Sequence, residues 1–161
     1  ANYIMGSLAL GNGDAKRALS YLSVATDASV RPPLPEAFND LAEAHRQLGD
    51  WSAALAAAQH SCALSPHLAI ARETAAAALL ELGRYKEAHA YLDEAFTIEQ
   101  RAAGDRAPDP RLYITRARLH LKEQHPDLAR VALAEAKKQY DALDATARKE
   151  FDKLADEVRL H

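Results

Sequence analysis

Leu48-Gly49-Asp50-Trp51-x-x-Ala54 returns 34 residues later as Leu82-Gly83-Arg84-Tyr85-x-x-Ala88. An internal period of that size marks stacked helical hairpins, each too small to bury its own apolar face and each covered by its neighbours. The composition agrees. Hydrophobic residues make up 48% of the 161 residues but aromatics only 6%, so the apolar content is mainly alanine and leucine, which have high helix propensity and permit close helix contact. The expected fold is all-α: four hairpins over roughly 1–31, 35–66, 69–104 and 110–141, followed by a single helix over 144–159.

Numbering each repeat so that its turn glycine is position 15 puts Phe38, Leu41, Ala42 and His45 at positions 4, 7, 8 and 11, one stripe at helical spacing. Trp51, Ala54, Ala58 and Ser61 then take positions 17, 20, 24 and 27, and Pro66 at 32 stops the second helix. The third repeat keeps Ala76, Gly83, Tyr85, Ala88, Leu92 and Ala95, but has Arg72 at position 4 and Gln100 in place of the proline, so its second helix is expected to run on. The first repeat fits through Met5-Gly6, Gly13, Ala18, Leu22 and Ala25. Ala1 is then position 3, inside a helix, and the register leads us to expect further repeats upstream.

Two features break the period. Extra residues in Val30-Arg31-Pro32-Pro33-Leu34-Pro35 stretch the Ala18 to Ala54 spacing to 36, and a longer insertion across Gln100–Pro110 makes Ala88 to Ala129 41. The fourth repeat has Tyr113, Arg116, Ala117 and His120 at positions 4, 7, 8 and 11, and Gln124-His125-Pro126-Asp127 where a glycine turn is expected, with the proline opening the next helix. After it, Phe151, Leu154 and Val158 share one face of the last helix, the pattern of a cap over the final hairpin.

This arrangement resembles the tetratricopeptide repeat, whose pattern has a large residue at 4, small residues at 8 and 20, an aromatic at 11, Gly at 15 and Pro at 32. The long Gln100–Pro110 connection resembles the extended-helix repeats of about 42 residues in kinesin-light-chain-like arrays. The resemblance implies a right-handed α-α superhelix whose first helices line a concave groove that binds another protein or a peptide segment.

At 100° per residue, positions 2, 6, 9 and 13 point away from the 4, 7, 8, 11 stripe. In the second repeat these are Glu36, Asp40, Glu43 and Gln47, with Asn39 beside them. In the third they are Ile70, Thr74, Ala77 and Glu81, flanked by Glu73, and in the fourth Arg111, Thr115, Arg118 and Lys122. The groove is expected to grade from acidic through small and apolar to basic. The family's carboxylate clamp for chaperone C-termini is absent, since Tyr3, Ser7, Asp40, Ile70 and Thr74 stand where it needs Lys, Asn and Arg.

A formal net charge of −3 and a pI near 6.2 argue against nucleic-acid binding. No apolar run reaches the roughly 18 residues needed to cross a membrane. Cys62 is alone, which excludes an internal disulfide. Catalytic and cofactor motifs are missing: there is no phosphate loop, nucleophile elbow, His-Glu-x-x-His or Cys-x-x-Cys. The seven histidines show no local metal-ligand spacing, and His45 and His120, both at position 11, read as packed between helices. The expectation is a non-enzymatic, metal-free binding scaffold. The alternative is a self-association module with no groove ligand.

Overall fold

The computed structural model describes residues 1–29, 32–104 and 106–159; Val30 and Arg31, part of the lengthened first linker, lie outside them. Four hairpins follow one another: α1 (Asn2–Gly11) with α2 (Ala15–Ala25), α3 (Pro35–Gln47) with α4 (Trp51–Leu64), α5 (Ala69–Glu81) with α6 (Tyr85–Ala103), and α7 (Pro110–Lys122) with α8 (Pro126–Lys137). A 3-10 turn at Tyr140–Ala142 leads into α9 (Ala145–Arg159). The described residues contain no strand, and none of their helices is long and apolar enough to cross a membrane.

The turns explain why the helices fold back. Gly49 sits at φ 77°, where its N–H donates to the Arg46 carbonyl and the Asp50 N–H reaches back to His45. This 6→1 and 5→2 pair satisfies carbonyls that would otherwise end the helix without partners. The Asp50 side chain then accepts from the Ala53 N–H at 3.2 Å and opens α4. Gly13 and Gly83 repeat the pair of backbone bonds. So does the turn without glycine: Gln124 takes φ 63°, its N–H bonds to Leu121, and the His125 N–H bonds to His120.

Small residues let the paired helices cross. Ala18, Ala42, Ala54, Ala76, Ala88, Ala117 and Ala129 are all fully buried. In the first hairpin the position falls to Gly6, where an added Cβ would stand 2.6 Å from Leu22 Cγ. The departures from the repeat pattern are also accounted for. Arg72 at position 4 pairs with Glu94 of α6 at 2.9 Å, while Arg116 at position 7 pairs with Asp93 at 2.7 Å and lies 4.0 Å over the Phe96 ring. Without the usual proline, α6 extends over 19 residues and takes up the first part of the long connection.

α9 buries Phe151, Leu154 and Val158 against α7 and α8, and Asp144 caps it by accepting from the Ala147 N–H at 2.8 Å. Phe151 meets Tyr140 edge-on with centroids 5.3 Å apart. The helix does more than cover an end. Its polar face turns back toward the first helices of the preceding hairpins and forms the far wall of the groove.

Candidate functional site

α1, α3, α5 and α7 all border one cavity of about 510 Å³, closed on its far side by Asp144–Ala147 and Glu150. An adjoining cavity of about 860 Å³ lies between the C-terminal parts of α3, α5 and α7 and the middle of α9. First helices that border one shared cleft lie on the same side of the stack.

Most of the expected groove residues line these two spaces. Asn39, Asp40, Ile70, Glu73, Thr74, Arg111 and Thr115 border the first, Glu81, Arg118 and Lys122 the second, and Glu43 and Gln47 both. Two do not. Glu36 is exposed at the start of α3 and lines neither cavity. Ala77, expected to face outward, is fully buried, because α5 is flanked by α3 on one side and α7 on the other and a methyl group does not reach past them. Glu73, Thr74 and Thr115 border the cavity floor at only 5%, 2% and 3% exposure.

These buried polar groups bond across the stack. Thr74 Oγ1 donates to Asn39 Oδ1 at 3.1 Å, joining α5 to α3, and Thr115 Oγ1 donates to Glu73 Oε1 at 2.5 Å, joining α7 to α5. Burial drives the Glu73 carboxyl above its ordinary range, with Arg46 and the Thr115 bond opposing. Arg46 holds Glu43 through two bonds of 2.6 and 3.0 Å. Burial counts against its charge, but Glu73 and Glu43 outweigh that and raise its pKa. Asp40 accepts from Ser7 of α1, and its carboxyl is pushed up first by burial and further by Glu43 and Glu36.

Two of the three basic residues expected at the fourth-repeat end of the groove are paired within the chain. Arg118 pairs with Glu81 and, at 3.1 Å, with Glu150 of α9, while Arg111 pairs with Asp109 at 2.6 Å. In the first cavity Asp40, Glu43, Asp144 and Glu150, with the proton-retaining Glu73 among them, outnumber the guanidiniums Arg46 and Arg111. The second carries Lys122, Lys149 and Lys153 beside Glu81 and Glu157. Charge thus varies between adjoining cavities rather than from one repeat to the next. Trp51, at the start of α4, is half-buried and borders the second cavity, whereas Tyr85, its counterpart at the start of α6, packs against the central core.

Elsewhere, burial raises the pKa of the Cys62 thiol, which keeps it a poor nucleophile. His60 stacks on Phe38 with centroids 4.2 Å apart. His120 is packed against α6, as its position suggests, but His89 and Glu123 stand beside it, a grouping the sequence conceals because the residues come from separate elements.

No protein-family model matches the sequence, and no curated protein matches it. Solved structures match by shape. A thermophilic tetratricopeptide-repeat protein of Thermus thermophilus superposes with a TM-score of 0.71 at 21% identity, over 95% of this chain and 79% of that one. This chain has the tetratricopeptide-repeat fold. A tetratricopeptide-repeat protein of Parabacteroides merdae shares it at a TM-score of 0.69 and 18% identity, over 95% of this chain and 56% of that one. MamA of Desulfovibrio magneticus RS-1, from residue 41 on, does so at 0.62 and 20%, over 98% and 91%. Identities this low carry the fold, a helical-repeat scaffold, and leave the use of the groove to the residues that line it.

Proposed function

We propose that this tetratricopeptide-repeat scaffold binds an extended segment of a partner protein in its inner cavity, and that the segment presents basic side chains. The carboxylate excess around Asp40 and Glu43 carries this reading. Asp40 is held partly out of water beside two other carboxylates, and all three disfavour its charge. A lysine or arginine delivered there relieves that repulsion, and complementary charge speeds encounter and selects the partner. The same carboxylates repel a phosphate backbone.

Trp51 is the chain's only tryptophan and borders the adjoining cavity, so its fluorescence reports occupancy. Lysine- and arginine-containing peptides should change the emission, with affinity falling as salt rises. Acidic peptides of the same length should not. Asp40→Asn, which keeps the size of the side chain, should weaken the basic peptides with far-UV circular dichroism unchanged. Equal affinity for both peptide classes would refute the reading.

A second reading rests on a different surface. Ile4, Met5 and Leu8 of α1 are exposed at 62%, 39% and 58%, an apolar strip at the first hairpin that a copy of the chain would cover. Light scattering across a wide concentration range tests it. A constant monomer mass would exclude it, and a dimer abolished by Leu8→Glu would support it.

A further inference from the structure

We propose that His89, His120 and Glu123 form a binding site for a divalent transition-metal ion, specifically Zn²⁺. One donor atom from each lies within 4.8 Å of the others. His89 Nε2 is 2.9 Å from Glu123 Oε2, and His120 Nδ1 is 3.9 Å from the same oxygen. Donors bound to one tetrahedral zinc at about 2.0–2.1 Å stand roughly 3.3 Å apart, so side-chain torsions closing gaps of the order of 1 Å complete the site.

The donor set selects the metal. Two imidazoles and one carboxylate suit zinc better than calcium or magnesium, which favour all-oxygen shells, and water supplies the fourth position of such an open site. His120 Nδ1 is buried with no hydrogen-bond partner, an unfavourable state for a ring nitrogen that a metal bond would relieve. His89 and Glu123 keep 33% and 25% of their side-chain exposure, so an ion reaches the buried His120 nitrogen from their side. The neighbouring cation, Arg116, is already engaged by Asp93 and the Phe96 ring.

Placement gives the site a role. His89 is on α6, His120 on α7, and Glu123 just past the end of α7 before the Gln124 turn. A bound ion therefore pins together the two helices that the long Gln100–Pro110 connection separates in sequence. None of the three lines either groove cavity, so the site stands or falls apart from the peptide-binding reading.

Titration of the purified chain with Zn²⁺ alone should show one equivalent bound and a rise in Tm. Histidine ring 1H–15N spectra should shift at His89 and His120 only. His89→Gln and Glu123→Gln, which remove ligands outright, should each weaken binding by more than the roughly 10–100-fold that loss of an outer-shell partner costs, with unchanged far-UV circular dichroism in the absence of metal, while His67→Gln should leave binding intact. Absence of a one-equivalent site, binding that survives both the His89 and Glu123 variants, or ring shifts at other histidines would overturn the proposal. If a variant loses its fold, the ring spectrum of the unaltered chain decides alone.

Discussion

Gly13, Gly49 and Gly83 turn the chain at φ 76°, 77° and 73°, and Gln124 turns it at 63° with the same pair of backbone bonds. The first three hairpins and the fourth thus share one geometry reached with different residues. In the fourth the conformation is imposed from outside. Tyr113 and Ile114 of α7 and Leu133 of α8 pack into a core completed by Phe151, Leu154 and Val158 of α9, so the turn is held by the contacts its two helices make. The glycine turns carry the preference locally; the glutamine turn depends on the packing of the two helices it joins.

The largest break in this comparison comes from the cap. Phe151→Ala should cost about 3–5 kcal/mol, and hydrogen exchange should show α7–α9 opening while α1–α4 stay protected, as expected where each repeat leans only on its neighbours. Uniform loss of protection would mean that the two halves fold as one unit. Gly49→Ala should cost about 1–2 kcal/mol, because alanine resists the left-handed backbone; urea unfolding measures it.

Glu73 couples the halves through its bond to Thr115. Its carboxyl is raised above the ordinary range, so the folded chain keeps a proton that the unfolded chain has lost. That contribution is complete below the ordinary carboxylate pKa near 4.5 and is lost as pH rises through the raised folded value. Glu73→Gln should flatten the decline, by at most about 1.4 kcal/mol per pH unit, one proton's worth; urea midpoints measured across that range for both chains give the difference. The smallest effect is at the odd turn. Gln124→Gly should gain less than about 1 kcal/mol, since relief of backbone strain is offset by glycine's greater unfolded-state freedom. A loss there would show that the Gln124 side chain itself supports the turn, and thermal melts resolve the sign.

The groove was legible in the sequence only as a direction. Helical periodicity pointed Asp40, Glu43, Thr74 and Arg118 to one side of their helices, and they do border the inner cavities. It said nothing of what faces them. Glu150 comes from α9, well beyond the repeats in sequence, and cancels the basic wall expected from Arg118. Ala77 vanished into the core for a related reason: exposure depends on the reach of the flanking helices as well as on angle. His89 carries no local ligand signature, because its partner Glu123 lies 34 residues away, a separation no short motif spans.

What the sequence alone determined was the repeat itself: paired helices, alanines where they cross, glycine turns at three of four hairpins, and an apolar face on the last helix. These follow from spacing within one or two helices, where backbone geometry links position to direction. The tertiary structure decided the rest: the return of α9 to the inner side, the pairing of groove charges, and the meeting of two histidines with a glutamate. Each depends on side chains that approach through space from distant segments, and their separation along the chain leaves no periodic trace to read.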